Sequence, residues 1–432
     1  MPEFDLRSDS ASTSKAKIIL IAAVIFALVF GWVAVRRQLG GMIAELTPVN
    51  DPNATAAADL ARSMAPSDPI TLWLAANVQH NIFSPESTNA AIKMYEDTVR
   101  LSPNDFRWWI ELGRAYEQAE MNEKAEASLR KAISLAPAYT FPRWQFGNFL
   151  LRQGRTDEAF AELKVATENN QTYREQVFSL AWEYFGKDPV KLEQVIADKP
   201  DVYASLALFY GARGQAADSL RMWNKLDDAA KAEHPQFISV IAQGLYEKRH
   251  FPEALEFAKQ LGMDTDALPD TVTNGGFERG VGDEKDTRFG WKIFRNDPKF
   301  DASSDTSVKH GGGRSLKLSF RTFKKSELYN VWQTVVVEPG RAYKLSFWVR
   351  TENLKSGGGP QIQIVNGNDD KIITNSAVFA AGTNDWQQFT LDFTAPDNCN
   401  GVTIRTVRAY CGDDCPITGT LWYDDFELKK IN

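Results

Sequence analysis

Four histidines occur in the 432 residues, His80, His234, His250 and His310, and no two of them share an HxH or HExxH spacing. A histidine-based hydrolytic metal centre needs such ligands close together on one element, so that chemistry is set aside. No nucleophile elbow, phosphate-binding loop or dinucleotide fingerprint is present. The carboxylates Glu278 and Asp424–Asp425, near the two ends of a strand-rich region, are the one pattern suggesting acid–base chemistry. Paired carboxylates flank the scissile bond in glycoside hydrolysis. Nothing else here supports bond cleavage, and the chain is read as non-catalytic, with a glycan-active enzyme as a remote alternative. Three cysteines, Cys399, Cys411 and Cys415, are too few for a disulfide scaffold or a multi-cysteine zinc site. Cys411 and Cys415 flank a short loop that can close as a disulfide, and pairing of Cys399 with either stays open. The net charge of −7 makes nucleic acid an unfavourable partner.

These side chains need elements to position them, and the first legible element is apolar. Residues 18–35, IILIAAVIFALVFGWVAV, are 18 uncharged positions. As a helix they span about 27 Å at ~1.5 Å per residue, close to the thickness of a bilayer core. Lys15 and Lys17 precede the run, Arg36 and Arg37 follow it, and Trp32 sits where an interfacial aromatic belongs. A cleaved signal peptide would have a shorter apolar core and a small-residue cleavage site, and here arginines stand in that place. We read the run as a transmembrane signal-anchor; a cleaved signal and a buried helix are the other two readings. Arg7, Lys15 and Lys17 narrowly outweigh Arg36 and Arg37, favouring a cytoplasmic tail at 1–17. Residues 36–67, rich in Gly, Ala, Pro and Asn, read as a tether with partial helix.

Residues 68–263 have helical patterning with a period near 34 residues. The clearest unit holds Trp109, Leu112, Gly113, Tyr116, Ala125, Leu129, Ala132 and Pro137; one period on stand Phe146, Gly147, Leu150, Ala159, Leu163 and Ala166. This resembles the tetratricopeptide (TPR) signature, with Leu129 in place of its Phe, and five or six units fit the region. Gly113 and Ala125 are small where two antiparallel helices meet, and Trp109 is expected in the core with Trp108 on another face. The resemblance implies an all-α solenoid whose concave face holds a protein segment. Carried onto the best units, that face would present Arg107, Arg114, Trp144, Asn148 and Arg152.

From residue 270 to 432 short alternating runs separated by Gly, Asn, Asp and Pro predict strands at 315–320, 331–337, 342–350, 361–365, 387–393, 402–407 and 420–428. The ordered motifs Asn274–Glu278, Gly290–Trp291, Gly312–Leu318, Gln333–Arg350, Asp385–Phe389 and Leu421–Leu428 resemble the jelly-roll carbohydrate-binding modules of families 4, 9 and 22. Alternation puts Tyr343, Leu345, Phe347 and Val349 inside, with Ile362, Ile364, Val335 and Val337. It leaves Trp332, Trp348, Arg350, Gln361 and Gln363 outside, where rings stack on sugar C–H faces and amides and cations bind hydroxyls. Trp332 and Trp348 are expected to line one groove; the loops around Trp291 and Tyr329 are the alternative location. The resemblance also implies that Glu278 and Asp424 or Asp425 hold a structural calcium ion, with the choice between the two aspartates open. This region holds 21 basic and 21 acidic residues, which favours neutral over anionic polysaccharide.

The expectation is a multidomain chain: one transmembrane helix, an all-α TPR solenoid and an all-β jelly-roll sandwich. It would be a single-pass scaffold of a bacterial inner membrane, its later domains periplasmic or extracellular, binding a protein through the repeats and polysaccharide through the sandwich. Exopolysaccharide or cell-envelope assembly and export would be its setting. The competing reading is a purely structural protein-interaction molecule that binds no sugar.

Overall fold

The computed structural model describes residues 10–168, 171–279, 281, 287–295, 297–324, 328, 330–412 and 414–431, with side chains from Ala16 onward. Arg7, the Lys15 side chain and Tyr329 lie outside the described residues. The chain divides into two compact units, Met1–Ala197 and Asp198–Asn432. The second unit therefore takes in helices that the sequence reading grouped with the repeats.

The first unit opens with α1 (Ser10–Leu46), 37 residues long. Its apolar run is exposed on every side, as at Ile18, Phe26 and Trp32. The same helix continues beyond the arginines. Ala44 is fully buried against Ala58 and Ala61 of α2 (Ala54–Met64) and Leu74 of α3 (Pro69–His80). Arg36 donates to the Ser63 carbonyl at 2.6 Å, and Arg37 pairs with Asp68 at 3.1 Å, whose other oxygen caps α3 through the Ile70 amide. Residues 36–67, expected as a tether with partial helix, hold the end of α1, a turn at 47–53 and all of α2, packed together. Their Gly and Ala content marks close helix–helix approach, not looseness, and it joins the apolar helix stiffly to α2 and α3.

Helical hairpins come next: α3 with α4 (Pro85–Leu101), α5 (Phe106–Gln118) with α6 (Asn122–Leu135), α7 (Thr140–Arg152) with α8 (Thr156–Glu168), and α9 (Gln171–Tyr184) with α10 (Pro189–Gln194). A Cβ on Gly113 would stand 2.9 Å from Leu129 Cγ, and one on Gly147 2.7 Å from Leu163 Cγ, so the 34-residue repeat of glycine and leucine records one contact made twice. The paired tryptophans differ from expectation. Trp108 is the buried one, 6% exposed and 6.1 Å from Trp73, while Trp109 is half-buried. The Trp109 indole N–H donates to the Pro103 carbonyl at 2.8 Å, and this need for a polar partner holds its ring at the rim.

The second unit begins with α11 (Pro200–Arg213), α12 (Ala216–Trp223), the short α13 (Asp228–Ala232), α14 (Pro235–Glu247) and α15 (Phe251–Gln260). Two antiparallel five-stranded sheets complete it. The first has the order β1 (Lys292–Ile293), β4 (Val331–Val336), β9 (Gly401–Arg408), β6 (Pro360–Asn366), β7 (Ile372–Asn375). The second runs β2 (Phe300–Asp305), β3 (Ser315–Phe323), β10 (Ile417–Lys430), β5 (Ala342–Lys355), β8 (Gly382–Thr394). Tyr343, Leu345, Phe347, Ile362, Ile364, Val402 and Ile404 belong to the one core between them. Trp291 is core as well, packed on Phe277 and Phe426, so the loop around it offers no indole surface. The strands not expected were β1, β2 and β7: the first is two residues long, and β2, FDASSD, has little apolar content to alternate.

Candidate functional site

Alternation separates inside from outside but does not say to which sheet a strand belongs. Trp332 lies on β4 of the first sheet and Trp348 on β5 of the second, so they point away from opposite faces of the sandwich and share no groove. Trp332, Gln361 and Gln363 stay together on the first sheet; Trp348 and Arg350 are on the other.

On the first face, cross-strand register builds a single row. Lys292 stands opposite Trp332, Trp332 opposite Arg405, Arg405 opposite Gln363, and Gln363 opposite Asn375. Directly opposed side chains lie close enough to interact. Arg405 donates to Gln363 Oε1 at 2.9 and 2.6 Å, and Gln363 Nε2 donates to Asn375 at 2.8 Å. The amide is thereby fixed with its oxygen toward the cation. The next row, Thr334 beside Thr403, adds hydroxyls.

Helices α14 and α15 cover one side of this face. Phe251 is buried where a Cβ on Gly401 would stand 2.4 Å from its Cδ2 and one on Gly367 2.8 Å from its Cε2; the two glycines let the ring lie on the sheet backbone. Arg249 pairs with Asp370 in the β6–β7 turn, and Asn368 donates to the Arg249 carbonyl at 3.0 Å. The Tyr246 hydroxyl accepts from Lys292 Nζ at 3.0 Å and lies 2.8 Å from Thr334 Oγ1. Arg288 donates to Gln243 at 3.2 Å, while Asp264 accepts from the Arg288 amide at 2.9 Å and fixes the chain where it enters the sandwich. Between helices and sheet remains a cleft of about 890 Å³ with Trp332, Thr334, Arg405 and Lys292 on its floor and Tyr246 and Arg288 on its wall. Of these, Arg405 was legible from the alternation of its strand. Lys292, Tyr246 and Arg288 were not, because a two-residue strand, a distant helix and an irregular loop supply them.

The second face is occupied by its own side chains. His310 stacks on Trp348 at 3.9 Å between ring centroids, and Arg350 lies 6.0 Å over Trp422 and 3.6 Å from Asp385. His310 Nδ1 is 2.7 Å from Asp425 Oδ2. Asp424 is the inward member of the pair, fully buried, accepting from the His310 and Gly311 amides at 2.8 and 3.1 Å. Burial raises its carboxyl above the ordinary range against those hydrogen bonds. Glu278 accepts from the Gly313 amide at 2.8 Å. A Cβ on Gly276 would lie 3.5 Å from Asp425 Oδ1 and 3.9 Å from Asp424 Oδ1, while the Glu278 carboxylate turns to Gly312 and Gly313; among the described residues the three do not gather their oxygens as a ligand group, which Asp201, Glu233 and His234 do. Cys411 and Cys415 form a disulfide, and Cys399 is a buried thiol, raised by burial, 3.2 Å from the Gly401 carbonyl.

The residues expected to hold a protein segment are spread along the first unit. Arg107 pairs with Asp105 at 2.6 Å and lines a groove of about 350 Å³ with Trp73, Trp108, Glu111 and Phe141. Arg114 pairs with Glu111 at 3.3 Å and Arg152 with Glu117 at 2.6 Å. Trp144 stacks near Phe141 and Tyr173, and Asn148 donates back to the Trp144 carbonyl at 2.7 Å.

Comparison with known proteins bears on both parts. Residues 269–408 match the family of carbohydrate-binding domains, and residues 107–139 match the tetratricopeptide repeat. Among curated proteins, the tRNA nuclease WapA of Bacillus subtilis (strain 168) is 23% identical over 222 residues, 50% of this chain. The chain spans only 8% of that relative's length. Similar solved structures include a CBM4 structure, 17% identical, covering 37% of this chain and 99% of that one with a TM-score of 0.29. MamA 41-end from Desulfovibrio magneticus RS-1 is 21% identical, covering 32% of this chain and 74% of that one with a TM-score of 0.27. The chain therefore joins two non-catalytic domain types, a tetratricopeptide repeat in its helical part and a carbohydrate-binding domain of the jelly-roll kind behind it.

Proposed function

We propose that this protein is a non-catalytic, single-pass scaffold of a bacterial inner membrane that binds polysaccharide on its sandwich and a protein segment on its repeats. The observation behind the sugar-binding half is the row Lys292–Trp332–Arg405–Gln363 at the floor of an open cleft. A half-buried indole flanked by cations and a fixed amide offers a stacking platform and hydroxyl partners together. Assembly or export of exopolysaccharide or of the cell envelope would use such a molecule. The exposed apolar run of α1, ending at Arg36 and Arg37, supports the anchor, with the later domains periplasmic or extracellular. Nucleic acid is not a proposed partner, since the chain has a net charge of −7.

A glycan array probed with the detergent-solubilised full chain tests the first half: at least one class of polysaccharide is retained. A folded protein that retains none would favour the interaction-only reading. That reading has its own support, because Phe251 and Arg249 already occupy part of the sheet face with the protein's own helices. Protease added to intact spheroplasts tests the orientation, digesting the repeats if they lie outside; protected repeats would reverse it.

A further inference from the structure

The sandwich as a whole is charge-balanced, but among the described residues its cleft holds a buried cation with no carboxylate partner. Lys292 and Arg288 are 6% and 8% exposed, and among the described residues neither forms an ion pair with a carboxylate. Lys292 Nζ has the Tyr246 hydroxyl and ring, and Arg288 has the Gln243 amide oxygen and the Met263 sulfur at 3.3 Å. These are neutral partners. Buried cations are normally paired, because taking a charge out of water without a counter-charge is unfavourable. Asp264 sets a carboxylate beside Arg288 and Asp370 is paired with Arg249, so Lys292 is the buried cation that lacks a carboxylate partner among the described residues. Arg405 adds a third cation beside Trp332.

The geometry adds direction to this surplus. Lys292 and Arg405 flank Trp332 on its two neighbouring strands in direct register. A pyranose stacked on the indole would therefore extend its ring substituents over one cation on either side. A neutral ring leaves the buried Lys292 charge where it is, whereas an acidic substituent neutralises it in a charge-assisted hydrogen bond. The opposite wall is a helix, which makes this a cleft with sides and not an open strip.

We infer that the cleft between α14 and the first sheet binds an acidic sugar, its anionic group held by Lys292 and Arg288 or by Arg405 while its ring lies on Trp332. This rests on the sugar-binding reading and fixes its class, with Tyr246 and Arg288 contributed from outside the sheet. The probes are oligomers of galacturonate, glucuronate and mannuronate, their methyl esters, and dextran sulfate, titrated calorimetrically into the solubilised full chain. The esters keep ring and hydroxyls and lose only the charge. At least one uronate oligomer is expected to bind roughly tenfold or more tighter than its ester, with the difference shrinking as salt is raised. Preferential binding of dextran sulfate alone would support the anionic pocket with a sulfate as its group. Lys292→Met should lower the acid-over-ester preference, the acid losing more affinity than the ester, and keep or raise the melting temperature, since a buried charge without a counter-charge is removed. Arg405→Gln, at a half-exposed position, provides a second reading if Lys292→Met fails to fold. Equal affinity for acid and ester overturns the inference and leaves sugar binding standing; an intact preference in the folded variants also overturns it; no binding of any glycan overturns both.

Discussion

The two outer faces of the sandwich look alike in composition and differ in how their charges are used. Each presents a tryptophan among cations: Trp332 with Lys292 and Arg405 on one, Trp348 with Arg350 and Lys317 near Trp422 on the other. On the second face the features answer each other. His310 covers Trp348, Asp385 and the Trp422 ring meet Arg350, and Asp305 accepts from the Trp422 indole at 3.0 Å while lying 3.9 Å from Lys317. That network holds the Asp305 carboxyl below its ordinary range against burial. On the first face Lys292, buried beside a cleft, has no carboxylate partner among the described residues. A binding surface is distinguished less by its aromatic residue than by interactions left unsatisfied. Each face also has a cover, a helical hairpin on the first and the His310 turn on the second, and removing the covers separately tests the contrast.

The largest effect is expected from the first cover. Phe251→Ala removes a buried ring from the backbone of Gly367 and Gly401, and replacing a buried Phe by Ala costs about 3 kcal/mol or more. Proteolysis between α15 and β1 should accelerate sharply, as read by limited proteolysis with mass spectrometry. Sugar binding, read by calorimetric titration, should fall as the Tyr246 wall is lost. If affinity is unchanged when the hairpin loosens, the site is an open strip and the helices are only a support.

A somewhat smaller effect is expected at the second cover. If calcium is held by Glu278, Asp424 and Asp425, binding to the native state alone adds about 2.7 kcal/mol at a hundredfold excess over the dissociation constant. Chelator should then lower the melting temperature and calcium should restore it, with the His310 stack on Trp348 loosening in step. An unchanged melting temperature would leave the carboxylates as acceptors for the His310–Gly313 amides, the role their geometry already gives them.

These two covers also mark where the sequence stops being readable. The strand cores were legible because a period of two is local: Tyr343, Leu345, Phe347 and Val349 alternate within one strand. The helical repeat was legible because Gly113–Leu129 recurs as Gly147–Leu163. Sheet membership is not local. Nothing within residues 331–336 or 342–355 says that β4 joins β9 and β5 joins β10, so two outward tryptophans were placed in one groove. The same limit hid the cleft, since Lys292, Trp332 and Tyr246 meet only through tertiary packing. Small residues at 40–61 misled in the other direction, because close helix packing and a flexible tether draw on the same amino acids.

The tryptophans themselves give the contrast its sharpest form. Trp332→Ala should weaken glycan binding by roughly tenfold or more, about 1.4 kcal/mol per decade, with little change in melting temperature, because its ring is half-buried outside the core. Trp348→Ala should do the reverse, leaving affinity intact and removing on the order of 1 kcal/mol of aromatic stacking with His310. Calorimetric titration and thermal unfolding of both variants would expose the opposite pattern, which would make the second face the binding one.

The smallest expected effect is a pH dependence that belongs to the second face alone. Burial raises the Asp424 carboxyl above its unfolded value, so between the ordinary carboxylate range and the raised one the native state binds the proton that the unfolded chain has released. Stability from this group is then fully present below the unfolded value and is lost as pH rises through the native one. The amides of His310 and Gly311 moderate the loss without reversing it, and the nearby Asp425 charge adds to it. In chelator, wild-type protein should lose stability relative to Asp424→Asn as pH rises above about 4. Added calcium should cancel that slope, because a bound cation favours the ionised carboxylate. The slope measured in Trp332→Ala should equal that of wild type, since the first face contributes nothing to it. A slope of the opposite sign in chelator would mean that the amide hydrogen bonds outweigh burial, and that Asp424 is held ionised by the turn that covers Trp348.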